Sequence, residues 1–180
     1  MTIKPGDKIP AAEFSTMTAG GQQKLSTDAV FAGRKVVLFA VPGAFTPTCS
    51  RDHLPGFVNA FDAIRAKGID TIACTSVNDV HVMNAWGMAS GADGKVLMLA
   101  DGNGAFARAV GLAKDLSASG MGWRSSRYSM IVEDGVVRAL NVEDKPGVNV
   151  SGAKTALGEI DAVCSPEPGA SGAASVLKQI

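Results

Sequence analysis

The chain has 180 residues, 46% of them hydrophobic, which suits one globular domain with a sizeable core. Seventeen basic residues balance seventeen acidic ones, so nothing in the net charge favours nucleic acid or an anionic membrane as a partner, and no apolar run is long enough to span a bilayer. Three widely spaced cysteines, Cys49, Cys74 and Cys164, argue against the disulfide framework of a small secreted protein, and with a start that lacks an apolar core the expected location is cytoplasmic.

In chain order, Ala12 to Lys24 alternates weakly around Gly20-Gly21 and predicts a marginal hairpin, leading into a short helical turn over Ser26 to Phe31. Lys35-Val36-Val37-Leu38-Phe39-Ala40 has the apolar, β-branched pattern of a buried central strand, and Pro42-Gly43 ends it. Thr46-Pro47 reads as a helix start, with Thr46 as N-cap and Pro47 at the first helical position, so that Thr48 and Cys49 fall in the first turn. Leu54, Phe57, Val58, Phe61 and Ile64 recur at helical spacing as far as Lys67-Gly68, and Pro55 is expected to bend this helix one turn beyond Cys49.

A second buried strand, Asp70 to Val77, leads through Asn78-Asp79 into a helix carrying Val80, Met83 and Trp86. A third, Val96 to Ala100, leads into a short helix ending at Val110. Alternating strands and helices predict β-α-β units with right-handed crossovers, hence an α/β domain whose sheet is covered on both faces. Arg127 to Glu133, the turn Asp134-Gly135 and Val136 to Val142 predict an antiparallel hairpin at one side of a mixed sheet. From Pro146 the composition shifts towards Gly, Ala, Ser and Pro; residues 147–172 are expected to be irregular or loosely helical, with a last short helix from near Ser171 to Ile180.

Cys49 is the best candidate for chemistry. At a strand–turn–helix junction, among the hydroxyls of Thr46, Thr48 and Ser50, its thiolate is favoured by the positive end of the helix. Cys74, mid-strand beside Ile72 and Ala73, reads as core with a secondary-thiol role open, and Cys164 as an accessible thiol in the tail. His53 follows Cys49 by four residues and shares its face in a regular helix; it is either the partner of a Cys–His pair or a polar residue packed against the turn. His81 is expected at the surface near a helix start.

Two histidines and three scattered cysteines fit no zinc spacing, so no metal is expected. Gly102-x-Gly104-x-x-Ala107 is better explained as a tight turn than as a dinucleotide fingerprint, because no acidic residue stands near Met121 to Arg127, and Asp101 fails to open a calcium loop because position twelve is Leu112. A Cys-x-x-Cys pair is absent, which disfavours a disulfide exchanger. Spacing alone brings neither Arg124 nor Arg127 to Cys49.

Pro42-x-x-x-Thr46-x-x-Cys49 resembles the Pro-x-x-x-Thr-x-x-Cys signature of peroxiredoxins. The fuller set, Val41 to Ser50, His53-Leu-Pro-Gly-Phe57, Ser76-Val-Asn-Asp79, Ala85-Trp-Gly87, Arg127-Tyr-Ser-Met130 and Ala139 to Glu143, is similar to the type II, peroxiredoxin-5-like subfamily, in order from about Ile3 to Glu143. The resemblance implies a thioredoxin-like fold and a thiol-dependent peroxidase that needs no cofactor. It implies Cys49 as the peroxidatic thiolate that becomes a sulfenic acid, Thr46 hydrogen-bonded to thiolate and peroxide, Arg127 as the cation beside them, and Pro42 as a shield. Hydroperoxides would be substrates and glutathione with glutaredoxin, or thioredoxin, the reductant. Plant members carry a cysteine matching Cys74; animal members carry a resolving cysteine where Gly147 to Ser151 here has none, so Cys74, Cys164 and an external thiol all remain candidates. A homodimer with an apolar contact near the active-site turn is also implied. The competing reading is a peroxide sensor that passes Cys49 oxidation to a partner.

Overall fold

A computed structural model of the chain describes residues 1–164. Seven strands form one mixed sheet in the order β2-β1-β5-β4-β3-β8-β9. These are β1 (Glu13–Thr18), β2 (Gly21–Ser26), β3 (Lys35–Ala40), β4 (Thr71–Ser76), β5 (Leu97–Ala100), β8 (Tyr128–Glu133) and β9 (Val136–Val142). β6 (Ala113–Asp115) and β7 (Trp123–Ser125) pair separately around a 3-10 turn at Ser117–Ser119, a small ribbon that the sequence did not announce because its strands are three residues long. The helices are α1 (Thr27–Phe31), α2 (Leu54–Asn59), α3 (Phe61–Ala66), α4 (Val80–Ala89), α5 (Ala105–Ala109) and α6 (Ala153–Val163). None among the described residues is long and apolar enough to cross a membrane.

β3 explains the architecture. It runs parallel to β4 and antiparallel to β8, with Val36 to Ala40 wholly buried. Successive side chains in a strand point to opposite faces. Accordingly Val37, Phe39 and Val41 join one apolar cluster with Leu54, Phe57, Ile64, Trp86, Ala156 and Ile160, while Val36, Leu38 and Ala40 join another with Phe31 and Phe106. The sheet is therefore covered on both sides, as its uninterrupted apolar strands require. On the first face Phe39 stacks on Phe57, ring centroids 4.1 Å apart.

The two edges are antiparallel. β1 and β2 form the weakly patterned hairpin, and β8 and β9 turn through Asp134 (φ 49°) and Gly135 (φ 72°), the two left-handed residues that a type I′ turn requires. Within the stretch expected to be irregular or loosely helical, α6 is a regular helix: Ala153, Ala156 and Ile160 bury a helical stripe, while residues 165–172 lie outside the described residues. The expected helix near Ser171 to Ile180 lies outside the described residues.

The register decides where function can sit. β3, β4 and β5 are parallel, so the segments after Ala40, Ser76 and Ala100 all emerge at one end of the sheet. β8 runs the other way, and its first residue, Tyr128, pairs with Ala40, the last of β3. Arg127, just before β8, thus arrives at the same end as the turn that follows β3.

Candidate active site

Val41 to Thr48 turns sharply off β3. Phe45 is held at φ 63°, a left-handed conformation unusual for an aromatic residue, and its side chain is exposed. Asn78, from the end of β4, fixes the turn: its Oδ1 accepts the Ala44 N–H at 2.9 Å and the Ser76 hydroxyl at 2.7 Å. The 121–124 segment lies against the same turn, since a Cβ on Gly43 would stand 3.2 Å from Met121 Cε, and Arg124 ties that segment down by donating to the Met121 and Val77 carbonyls.

Helix begins at Pro47, as expected, but Thr46 is not a side-chain cap. Its hydroxyl donates to the Gly43 carbonyl at 2.8 Å, and its carbonyl accepts the Ser50 N–H at 3.0 Å. The regular helix expected after Cys49 is also corrected. Cys49–His53 forms a π-helical turn in which Leu54 N–H donates to the Cys49 carbonyl. Pro55 supplies a reason, because it has no N–H with which to continue the ordinary ladder from Arg51, and the wider turn accommodates that gap. The chain then continues as α2 rather than bending at Pro55, with its break at Ala60. Trp86 Nε1 donates to the Ser50 hydroxyl at 2.9 Å, pinning the π turn to α4.

Cys49 and His53 are both buried and both meet Arg127. Arg127 Nη2 donates to Cys49 Sγ at 3.2 Å, and Nη1 donates to His53 Nδ1 at 3.1 Å. A guanidinium only donates, so His53 Nδ1 is the acceptor and the ring proton resides on Nε2, which donates to the Ser151 carbonyl at 2.9 Å. Burial, opposed by that carbonyl, pulls the His53 imidazole down to about 4. His53 is therefore neutral near pH 7 and serves as an acceptor for Arg127, not as the base of a Cys–His pair. Its ring packs, tilted, against the stacked pair Phe39 and Phe57, at centroid distances of 5.0 and 5.7 Å.

Pro42 is half-buried at the mouth of the turn that carries Thr46. Cys74, in the middle of β4, shares the apolar cluster of Cys49 and is fully buried; burial pushes its thiol well up, the Cys49 sulfur adds to this, and Arg127 opposes it. Cys164 is half-buried, not freely accessible, and burial raises its thiol too. It caps the far end of α6, whose eleven residues span about 16 Å from the Ser151 end, so Cys164 belongs to the opposite end of the sheet from Cys49. His81 is exposed at the start of α4, as read. Asp101 closes the Gly102–Gly104 turn by accepting the Phe106 and Ala107 N–H groups, the structural role assigned to that glycine pair.

Sequence reasoning missed Glu143 and Ser151 as neighbours of the site, and placed Asn78 at a helix cap and Trp86 on that helix without a role at the site. All but Ser151 lie within the quoted motifs, so the signal was present without its geometry.

Residues 4–157 match the Redoxin family. The chain is 50% identical over 161 residues to "Peroxiredoxin-2E-2, chloroplastic" of Oryza sativa subsp. japonica, covering 87% of this chain and 72% of the relative. It is 42% identical over 156 residues to "Peroxiredoxin-2D" of Arabidopsis thaliana, covering 86% and 96%. Among solved structures, reduced Prx3 of Vibrio vulnificus in complex with H2O2 superposes with a TM-score of 0.85 at 49% identity, over 88% of this chain and 99% of that one.

Proposed function

The chain belongs to the redoxin family as a peroxiredoxin of the type II, peroxiredoxin-5-like group, a thiol-dependent peroxidase of thioredoxin-like fold, and from that premise we propose that Cys49 is its peroxidatic residue. The observation that carries this assignment is the Arg127 Nη2 donor 3.2 Å from a buried sulfur, two residues 78 apart in sequence brought together by the β3–β8 register. The guanidinium donates to the sulfur that acts as nucleophile.

The thiolate attacks one oxygen of the hydroperoxide, forming the S–O bond as the O–O bond breaks. Two electrons pass from sulfur to the peroxide, the other oxygen leaves as hydroxide or, from an organic hydroperoxide, as alkoxide and takes a proton to become water or alcohol, and Cys49 becomes a sulfenic acid. In this reading Arg127 supplies donors to the charge that develops on the leaving oxygen. Thr46, whose proton is directed to Gly43, offers its hydroxyl lone pairs to the peroxide O–H, and Pro42 walls the mouth. The H2O2 complex of the Vibrio vulnificus protein supports hydrogen peroxide as a substrate here.

An external thiol is the preferred reductant. Cys74 is buried mid-strand and would need local unwinding to reach the sulfenic acid, and Cys164 sits at the other end of the sheet. Glutathione with glutaredoxin, or thioredoxin, attacks Cys49 sulfenic acid, releases water and forms a mixed disulfide that a second thiol resolves. Exposed Phe45 and Trp123, carried by the turn and by the segment beside it, supply the apolar contact expected of a homodimer.

The test is peroxide consumption by the purified protein with each thiol donor. Wild type turns over and Cys49→Ser loses activity; full turnover in Cys49→Ser would sink the assignment. Stoichiometric oxidation of Cys49 without turnover under every reductant would instead favour the sensor.

A further inference from the structure

Glu143 stands directly across the hairpin ladder from Arg127. The Tyr128–Val142 pairing continues by one step, and the Glu143 N–H donates to the Arg127 carbonyl at 2.9 Å. Opposite charges at such positions ordinarily attract one another. Here the Glu143 carboxylate turns to the loop that precedes α6. Its Oε1 accepts the backbone N–H groups of Asn149 (2.7 Å), Val150 (2.8 Å) and Ser151 (2.8 Å) together with the Ser151 hydroxyl (2.8 Å), and its Oε2 accepts from Asn149 Nδ2 at 3.1 Å. Burial works against its ionisation, but these donors overcome it and hold the carboxyl at about 2.

Three successive N–H groups converging on one oxygen fix the backbone of residues 149–151, and so the direction of the Ser151 carbonyl. That carbonyl receives His53 Nε2–H, and the Ser151 hydroxyl oxygen lies 3.4 Å from the same nitrogen. The proton position matters. With Nε2–H held by Ser151, the Nδ1 lone pair is available to Arg127; were the carbonyl to move, the other tautomer would set a ring N–H against a guanidinium N–H. A released Glu143 carboxylate would also become a competing anion for Arg127, drawing it from Cys49 Sγ.

We propose that Glu143 is a positioning residue for Cys49 oxidation: by clamping residues 149–151 it fixes the His53 tautomer, which in turn holds Arg127 on the thiolate. This rests on the reading of Cys49 as the reacting thiol. Among the described residues, the charged and titratable groups facing that sulfur are Arg127 directly, Cys74 from β4, His53 through Arg127, and Glu143 through Ser151 and His53.

The experiment measures alkylation of Cys49 by iodoacetamide against pH, read on the Cys49 peptide, beside kcat/KM for hydrogen peroxide. Glu143→Gln is expected to move the alkylation midpoint to higher pH and to lower kcat/KM by about tenfold, the size of coupling seen within one hydrogen-bonded network. Ser151→Ala shifts both in the same direction and serves if Glu143→Gln fails to fold. His53→Gln, which offers an amide oxygen to Arg127 and an N–H to Ser151, retains most reactivity; His53→Leu does not. In the His53→Leu background Glu143→Gln adds less than about a twofold effect. An unchanged midpoint in folded Glu143→Gln, or an undiminished effect in the His53→Leu background, overturns the proposal. Because alkylation reports thiol reactivity without peroxide turnover, these outcomes are separable from retained activity in Cys49→Ser, which would overturn the underlying assignment.

Discussion

Cys49 and Cys74 occupy the same apolar cluster, are equally inaccessible, and differ in what surrounds the sulfur. Cys74 has β-sheet neighbours on both sides, Phe39 and Met98 in register, and burial raises its thiol. Cys49 has a guanidinium at 3.2 Å and sits in a π turn at the sheet's carboxyl end. Burial by itself makes a thiol inert, and the fixed cation makes the difference.

Removing that cation should therefore bring Cys49 towards Cys74. Arg127→Leu is expected to lower kcat/KM for peroxide by about 10²- to 10³-fold, the usual cost of deleting a preorganised donor to a developing anion. Stopped-flow peroxide consumption checks it, and a loss below tenfold would mean that Arg127 is not what separates the two thiols.

The second prediction concerns the acceptor that orients the cation. The folded protein holds His53 at about 4 against an ordinary 6.5, so between these values the unfolded chain takes up a proton that the folded chain refuses. Stability is then unaffected by this group above about pH 6.5, falls as the pH drops from 6.5 to 4, and levels below; the shift amounts to about 3 kcal/mol. Glu143 continues the trend lower down: its carboxyl is held at about 2 against 4.5, and its contribution is lost as the pH falls through that window. Thermal unfolding from pH 7 to pH 4 should show the decline in wild type and a flatter profile in His53→Gln. Equal profiles would show that His53 is not the group refusing the proton.

The smallest effect is expected at the other cysteine. Cys74→Ala should leave peroxide turnover with glutathione and glutaredoxin within about twofold, while costing about 1–2 kcal/mol of stability from a small buried cavity. Loss of turnover in that variant would instead make Cys74 the resolving thiol and imply unwinding around Cys49.

The strands were legible because β3, β4 and β8 are rich in apolar and β-branched residues, and the hairpin because Asp134-Gly135 dictates its turn. Cys49 was legible from its junction and, with Thr46 and Pro42, from the motif. Arg127 came to Cys49 through the resemblance alone and not through spacing, because their contact depends on Tyr128 pairing with Ala40 across a span that no local pattern encodes. The π turn had only Pro55 as a hint. Ser151 was obscured by a Gly- and Ser-rich stretch whose composition suggested loose chain, although Ala153, Ala156 and Ile160 carried a helical stripe.

The π turn also constrains descent. Five residues, Cys49 to His53, close one turn there, and both its ends are committed: Cys49 to Arg127 Nη2, His53 to Arg127 Nη1. A single-residue deletion within it would restore an ordinary helix but rotate His53 by about 100° relative to Cys49, breaking one of the two contacts. Elsewhere the fold can absorb length changes in exposed turns such as 117–120; between the cysteine and the histidine it is length-locked. Spacing across this segment is therefore a stricter criterion for shared mechanism among related chains than overall identity.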